Sequence, residues 1–148
     1  MSKIAIVTGA TSGIGRAASV SLAGIGYDLI ITGRRVALLS ELAKEIEKDF
    51  SVRVLPLSFD VREISQVEHY LGNLPDNWKD VDLLINNAGL AVGLNPLNLG
   101  ITDDWERMID TNIKGLLYVS RIVSNLMIKR GGGQIINIGS IAGKSVYP

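Results

Sequence analysis

The sequence contains no cysteine, which excludes disulfide bonds and thiolate metal sites. It also has no apolar run near the ~20 residues that span a bilayer, and the apolar run at residues 4–7 is too short for a signal peptide. Because a chain without disulfides suits a reducing compartment, we expect a soluble, cytoplasmic protein without a membrane partner.

An excess of either charge is missing as well, since 15 basic side chains balance 15 acidic ones. Proteins that bind polyanions are usually basic, so we expect no nucleic acid partner. No cluster of His, Asp and Glu has the spacing of a metal site, and no metal is expected. Hydrophobic residues make up 47% of a chain of ordinary domain length, which is enough for one compact core.

Short apolar runs alternate with longer segments of helical period, a pattern typical of a parallel sheet with crossover helices. The runs are mostly apolar rather than alternating, which indicates that both faces of the sheet are covered. The predicted strands are residues 4–8, 29–32, 52–57, 83–85 and 134–138.

Helical periodicity places apolar residues on one face of each connecting segment. The longest predicted helix spans residues 103–130, is capped by Thr102 or Asp103, and ends at the glycines 131–133. The expected inward faces are Ile14, Ala18, Leu22 and Ile25 in the first helix, Leu38, Leu39, Leu42 and Ile46 in the second, Ile64, Val67 and Leu71 in the third, and Trp105, Met108, Ile109, Ile113, Leu116, Val123 and Met127 in the longest.

Right-handed crossovers predict the sheet order 3-2-1-4-5, with ligand bound where the order reverses, at the carboxyl ends of strands one and four. The predicted fold class is therefore α/β, with a doubly wound parallel sheet. A six-stranded sheet of this kind needs another helix and strand after the fifth. We thus expect residues 1–148 to form one domain that is incomplete at its C-terminus, with strand five as an exposed apolar edge.

The first strand runs into a glycine-rich turn and then into a helix. Glycines at 9, 13 and 15 allow a tight turn, close approach of a pyrophosphate and close packing of helix on strand, while the helix N-terminus faces the anion. The alternative is a turn without a ligand, and the missing Gly-Lys-Ser/Thr ending disfavours a nucleoside triphosphate loop. The predicted dinucleotide-binding residues are Gly9, Thr11, Ser12, Gly13, Ile14 and Gly15.

This turn, Thr-Gly-x-x-x-Gly-x-Gly from Thr8, resembles that of the short-chain dehydrogenase/reductase family. Three further segments match the family in order and spacing, namely Asp60-Val61, the Asn-Asn-Ala-Gly at 86–89, and Ser140. Residues 86–93 and 104–115 are especially similar to the branch that oxidises serine, allo-threonine and other 3-hydroxy acids. The resemblance implies a Rossmann-like fold, hydride transfer with a nicotinamide cofactor, and a homo-oligomer for a complete chain.

The end of strand two distinguishes NADP from NAD. NAD enzymes of this fold usually place an acid about 20 residues beyond the glycines, on the ribose 2′-hydroxyl. Here the run is Thr32-Gly33-Arg34-Arg35, in which two guanidinium groups suit a 2′-phosphate and no acid repels it. The alternative is that the two arginines merely begin an exposed helix. We predict NADP as the cofactor, bound through Arg34 and Arg35.

Residues after strands three and four complete the predicted cofactor site. By the resemblance, Asp60 and Val61 line the adenine pocket, with the carboxylate accepting from the exocyclic amine. Alternatively, Asp60 caps the helix that follows it. Asn86 is predicted to brace neighbouring strands. The residues whose backbone can approach the ribose and nicotinamide at the switch point are Asn87, Ala88 and Gly89.

Two polar residues are candidates for the catalytic step. Asn112 falls on the apolar stripe of the longest helix, where a buried amide without partners costs roughly 1–3 kcal/mol. The alternative is an Asn satisfied by nearby backbone, and in the family the matching Asn holds a water in a proton relay. Ser140, just after strand five, is placed to orient a substrate carbonyl or alcohol; taken alone it is an ordinary turn serine.

The family's acid/base pair, a Tyr and a Lys four residues later, is not found in residues 1–148. Tyr147 is assigned to a loop and His69 to a solvated helix face. We expect an oxidoreductase that moves a hydride between NADP and a small-molecule secondary alcohol or carbonyl, with a 3-hydroxy acid such as serine as the expected substrate. The alternative is a catalytically incompetent nucleotide-binding fragment that lacks the Tyr-x-x-x-Lys pair.

Overall fold

The computed structural model describes residues 2–145 of the chain. Strands and helices alternate from the N-terminus. The strands are β1 (Ile4–Val7), β2 (Asp28–Gly33), β3 (Val54–Ser58), β4 (Val81–Asn86) and β5 (Gln134–Asn137). The helices are α1 (Gly13–Gly24), α2 (Val36–Asp49), α3 (Ile64–Gly72), α4 (Thr102–Ile109) and α5 (Leu116–Arg130), with a π-helical turn (Asp110–Gly115) between the last two.

The five strands form one parallel sheet in the order β3-β2-β1-β4-β5. At its centre, Val7 of β1 pairs with Ile31 of β2 and with Ile85 of β4. The predicted α/β class, strand order and switch point between strands one and four are confirmed. Strand boundaries differ from the predicted ones by up to two residues, which is the usual scatter at element ends.

The core lies in two layers, one on each face of the sheet, because successive strand side chains point to opposite faces. On one face, α3 and α5 pack on Ile6, Ile30 and Leu84 through Val67, Leu71, Val119, Val123 and Met127. On the other face, α1 and α2 pack on Val7, Leu29, Ile31 and Ile85 through Ala23, Leu39, Leu42 and Ile46. This double cover is what allows the central strands to be apolar throughout.

The predicted helix faces are partly wrong. In α1 the buried residues are the small ones, Gly15, Ser19 and Ala23, whereas Ile14 and Ile25 are exposed. Small residues let α1 approach the sheet closely. Of the predicted inward residues of this helix, Ala18 and Leu22 are partly buried against the same layer. In α2 and α3 the prediction holds for Leu39, Leu42, Ile46, Val67 and Leu71 and fails for the exposed Leu38 and Ile64.

The longest predicted helix is interrupted by the π-helical turn at Asp110–Gly115. A π-helical turn holds one extra residue, so the two flanking helices do not share one continuous apolar stripe. Of the predicted stripe, Trp105, Ile109 and Ile113 are exposed, whereas Val123 and Met127 are buried as predicted. The buried positions recur every fourth residue, at Thr111, Gly115, Val119, Val123 and Met127.

The predicted N-cap of this helical segment is wrong, whereas its predicted C-terminal end is correct. Ile101 rather than Thr102 or Asp103 is the N-cap of α4, and no side chain caps it. At the other end, Gly131 closes α5 in the left-handed conformation, with φ of 101°, and its N–H donates to the Met127 carbonyl. The predicted stop at the glycines is confirmed.

β5 is the edge strand on its side of the sheet, and its four residues are exposed. Ile135 and Ile136 are each 38% exposed. Within residues 2–145, the expectation that both faces of the sheet are covered therefore holds for the central strands and not for β5, whose apolar edge is exposed as expected. Across residues 2–145, no helix combines the length and apolarity needed to traverse a lipid bilayer.

A buried carboxylate joins β2 to the start of β3, at the edge of the sheet opposite to the carboxyl ends of the strands. Asp28 is 3% exposed and accepts hydrogen bonds from the Ser2 hydroxyl and from three nitrogens of Arg53: the backbone N at 2.8 Å, Nε at 2.9 Å and Nη2 at 2.6 Å. Arg53 in turn lies over the Trp78 ring, 4.7 Å from its centroid. Burial acts to raise the pKa of Asp28, but the hydrogen bonds and the Arg53 charge outweigh it, so this pKa is lowered.

We expect Asp28→Asn to lower the free energy of unfolding by about 2 kcal/mol at pH 7, since hydrogen bonds to a charged group contribute about 1.5–3 kcal/mol. Because the pKa of Asp28 is lower in the folded protein, its contribution is present above the unfolded pKa of about 3.9 and is lost as the pH falls through the folded value. Urea denaturation of both proteins at pH 7 and at successively lower pH measures this.

Asp76→Asn is the matched control, because the pKa of Asp76 is also lowered, by its hydrogen bond to Lys79, but Asp76 lies exposed on the surface. Exposed ion pairs contribute little, so this substitution should leave the unfolding curve nearly unchanged. A difference between wild type and Asp28→Asn that stays constant with pH would show that the Asp28 charge does not stabilise the fold.

Candidate functional site

The glycine turn between β1 and α1 depends on two close approaches. Gly9 adopts φ of +63°, and a Cβ there would lie 2.9 Å from Ala88 Cα. A Cβ on Gly15 would lie 2.3 Å from both the Gly9 carbonyl oxygen and Asn87 Nδ2. No side chain fits at either position, so these glycines are what brings the turn, α1 and the end of β4 together.

Thr8 and Asn87 lock the ends of β1 and β4 to each other. Thr8 Oγ1 accepts from the backbone N–H groups of Asn87 at 3.0 Å and Ala88 at 2.9 Å. Asn87 Nδ2 donates to the carbonyls of Thr8 at 3.0 Å and Gly9 at 3.1 Å. The segment 87–89 is thereby held against the glycine turn, at the predicted switch point. The predicted set did not include Thr8, although its place at the head of the turn was a signal.

Asn86 braces three elements, as predicted. Its Nδ2 donates to Asn137 Oδ1 on β5 and to Ser120 Oγ on α5, each at 2.9 Å. These bonds fix the carboxyl end of β4 relative to its neighbours.

The end of β2 places two arginines beside the glycine turn. Arg35 Nη2 donates to Thr11 Oγ1 at 2.7 Å and to Ser12 Oγ at 3.3 Å, so this guanidinium bridges the β2–α2 connection to the turn. Arg34 and Arg35 are both exposed. The first turn of α1 contains no acidic residue, so the positive end of that helix is not neutralised locally.

Asp60, after β3, is held by Arg62. Its carboxylate accepts from the backbone N–H of Arg62 at 3.0 Å and from Arg62 Nη2 at 2.6 Å. Burial acts to raise the pKa of Asp60, but the Arg62 hydrogen bonds and the charges of Arg62 and Arg34 lower it. The carboxylate is therefore ionised at neutral pH and suited to accept from an amine. It closes the turn at Arg62 and does not cap α3, whose N-cap is Glu63.

These segments enclose a cleft of about 590 Å³ at the carboxyl ends of β1, β2 and β4. Eleven predicted residues line it: Gly9, Thr11, Ser12, Ile14, Arg34, Arg35, Asp60, Val61, Asn87, Ala88 and Gly89. Four predicted residues do not, namely Gly13, Gly15, Asn112 and Ser140. Residues missed by the sequence analysis also line it: Thr32, Gly33, Phe59, Leu90 and Thr111. Each of these five residues is adjacent in sequence to a predicted residue or to another of the five.

Asn112 is exposed, so the prediction of a buried amide is wrong. The π-helical turn directs its side chain to the loop after β4, where Oδ1 accepts from the Leu90 N–H at 2.9 Å and Nδ2 donates to the Leu90 carbonyl at 2.8 Å. This is the alternative left open above, an Asn satisfied by backbone. Asn112 thus supports a wall of the cleft, and its role in a proton relay stays a prediction.

Ser140 begins the short 3₁₀ turn Ile141–Gly143, and its Oγ accepts from the Ala142 N–H at 3.1 Å. It is exposed, and its role with a substrate also stays a prediction. Tyr147 lies outside the described residues. His69 is exposed on α3, where its ring meets Tyr70 edge-on.

The cleft combines features that favour a phosphorylated ligand. The N-terminus of α1 and two exposed arginines face one cavity, and the glycine turn leaves room for backbone contact with an anion. Asp60 supplies an ionised acceptor farther along the cleft. A dinucleotide carries phosphate groups in one part and an adenine amine in another, so the residues of this cleft fit such a ligand.

Comparisons with known proteins agree with this arrangement. A family model described as short chain dehydrogenase matches residues 3–148. A Haemophilus influenzae protein named a probable NADP-dependent dehydrogenase is 48% identical over 143 residues, which cover 97% of this chain and 55% of that protein. The NADP-dependent 3-hydroxy acid dehydrogenase YdfG of Escherichia coli K12 is 44% identical over 144 residues, covering 97% of this chain and 56% of YdfG.

A solved structure described as the closed form of serine dehydrogenase complexed with NADP⁺ superimposes with a TM-score of 0.91 at 43% identity, over 97% of this chain and 56% of that one. This chain spans about half the length of the curated relatives it matches. The resemblance inferred from the glycine turn and the three later segments is confirmed. Because the family model matches residues 3–148, the chain belongs to the short chain dehydrogenase family.

Proposed function

We propose that residues 1–148 form the dinucleotide-binding domain of an NADP-dependent oxidoreductase. The observation that carries this proposal is the placement of Arg34 and Arg35 at the end of β2, beside the glycine turn and in a run without an acid. A 2′-phosphate bears two negative charges near neutral pH and suits this position, whereas a free 2′-hydroxyl would ordinarily be met by an acid.

Each part of the cleft is assigned to one part of NADP. The turn from Gly9 to Gly15 and the N-terminus of α1 would hold the pyrophosphate. Asp60 and Val61 would hold the adenine, and the 87–89 segment would face the ribose and nicotinamide. When bound, NADP supplies a hydride acceptor; the residues of the chain bind it, orient it and exclude water from it.

The proposed substrate is a secondary alcohol or the matching carbonyl, with 3-hydroxy acids such as serine as the first candidates. The names of the relatives support this class, and Ser140 at the carboxyl end of β5 is proposed to orient the reacting oxygen. Removal of the hydroxyl proton needs a base, and an isolated Tyr with a pKa near 10 is mostly protonated at pH 7. None of Tyr27, Tyr70 and Tyr118 is followed by Lys four residues later.

We therefore expect residues 1–148, expressed alone, to bind NADP without measurable hydride transfer to it from serine or other 3-hydroxy acids. A form of the protein that also carries a Tyr-x-x-x-Lys segment after Ser140 is expected to reduce NADP, and Ser140→Ala in that form to lose most turnover. NADPH absorbance measures both. Comparable turnover by the two forms would contradict the proposed acid/base requirement, and failure of both to bind NADP would contradict the proposed function itself.

A further inference from the structure

The π-helical turn Asp110–Gly115 contacts both walls of the cleft. On one side, the Asn112 side chain forms two hydrogen bonds with the backbone of Leu90. On the other side, Gly115 packs directly on Val61, in the loop between β3 and α3. Leu90 and Val61 both line the cleft, so one irregular turn supports two separate parts of its surface.

The contact between Gly115 and Val61 leaves no room for a side chain. A Cβ on Gly115 would lie 2.7 Å from Val61 Cγ2, 3.1 Å from Val61 Cβ and 3.3 Å from the Val61 carbonyl oxygen. Rotation of the Val61 side chain would relieve only the first of these contacts. Because the other two involve Cβ and the backbone, the loop itself would have to shift.

Val61 has little freedom to move away. It is 8% exposed and belongs to the core cluster that includes Val119 and Val123 of α5. Its neighbour Asp60 is tied to Arg62 through backbone and side-chain hydrogen bonds. A shift of Val61 would therefore displace Asp60 as well, and both residues belong to the wall proposed to hold the adenine.

We infer that Gly115 is a positioning residue for the adenosine half of the cofactor, acting through Val61 without touching the ligand. This inference rests on the proposed function. Gly115 sets how closely the π-helical turn approaches the Asp60–Val61 wall, whereas Asn112 independently holds the Leu90 wall. A change at Gly115 should thus affect one half of the dinucleotide and spare the other.

The test uses adenosine 2′,5′-bisphosphate as the adenosine-half ligand and NMN as the nicotinamide-half ligand, each titrated by NMR or calorimetry. Gly115→Ala should weaken binding of adenosine 2′,5′-bisphosphate about tenfold, the effect expected for overpacking of a tight contact. Its NMN affinity should stay within about twofold of wild type, the range in which independent effects vary. Gly72→Ala is the matched control, since a Cβ on this helical glycine would meet nothing within 4 Å, and it should change neither affinity.

Val61→Ala and the double variant Gly115→Ala/Val61→Ala separate the contact from general destabilisation. Removing the two Val61 methyl groups relieves the 2.7 Å overlap and leaves only the two longer contacts, with Cβ and the carbonyl oxygen of residue 61. The double variant should therefore lose clearly less than about tenfold in affinity for adenosine 2′,5′-bisphosphate relative to Val61→Ala. The comparison of the double variant with Val61→Ala also tests the role of Gly115 if Gly115→Ala alone does not fold.

Two results would overturn the inference alone: equal losses for the two half-ligands in Gly115→Ala, or a tenfold further loss in the double variant relative to Val61→Ala. Unmodified protein that binds neither adenosine 2′,5′-bisphosphate nor NADP would overturn the proposed function, and this inference with it.

Discussion

Gly15→Ala is expected to weaken nucleotide binding severely and to destabilise the fold. The added Cβ would lie 2.3 Å from the Gly9 carbonyl oxygen, a backbone atom that cannot move unless the whole turn opens. It would also lie 2.3 Å from Asn87 Nδ2, which holds the end of β4 against the turn. Overpacking of this kind costs typically 1–3 kcal/mol, and with two clashes we expect about 3 kcal/mol in unfolding and a roughly hundredfold loss in affinity.

Gly24→Ala is the control for Gly15→Ala, because both glycines belong to α1. A Cβ on Gly24 would make an ordinary contact of 3.6 Å with the Phe50 ring. Alanine loses less backbone entropy than glycine in a helix, so this variant should be stabilised by about 0.5–1 kcal/mol and bind normally. Thermal denaturation and nucleotide titration of both variants are the measurements. Normal NADP affinity in Gly15→Ala would show that the turn does not form the binding site.

The double variant Arg34→Ala/Arg35→Ala should lose affinity for NADP by roughly tenfold to a few hundredfold for each effective contact, since a hydrogen bond to a charged group contributes about 1.5–3 kcal/mol. Its affinity for NAD should hardly change, because NAD carries no 2′-phosphate. The single variants are informative as well. Arg35 also donates to Thr11 and Ser12 of the turn, so Arg35→Ala should affect both nucleotides slightly, and Arg34→Ala should affect NADP alone.

Arg121→Ala removes the same charge far from the cleft and serves as the control. Arg121 lies on α5 and pairs with Glu68, with its side chain 68% exposed. Both nucleotides should bind this variant as they bind wild type. If Arg34→Ala/Arg35→Ala weakened NADP and NAD equally, the two arginines would be acting through the structure of the turn and not on the 2′-phosphate.

The sheet could be predicted from the sequence because its central strands are apolar on both faces and because crossovers have one hand. The helix faces could be predicted only where packing uses large side chains, as at Leu42 and Ile46. α1 packs through Gly15, Ser19 and Ala23, which hydrophobic periodicity hardly registers. Ile14, predicted both to face inward and to bind the dinucleotide, lines the cleft and is 61% exposed, so only the second prediction agrees with its position.

Most of the candidate cleft could also be predicted, because its residues follow directly on apolar strands whose carboxyl ends meet. The π-helical turn could not, since nothing in the local sequence indicates an extra residue in a turn. A regular helix over residues 103–130 would bury Asn112, and this is why its predicted burial is wrong. For the same reason, the sequence does not predict that Thr111 lines the cleft or that Gly115 contacts Val61. The bonds from Asn112 to Leu90 depend on tertiary geometry, which periodicity does not contain.

Titration of the unmodified chain with NADPH and with NADH, at one fixed ionic strength because exposed charges are screened by salt, tests the central claim most directly. With Arg34 and Arg35 on the 2′-phosphate and no acid in the 32–35 run, NADPH is expected to bind at least about tenfold more tightly than NADH. Equal affinities, or tighter binding of NADH, would contradict the assignment of this cleft to NADP.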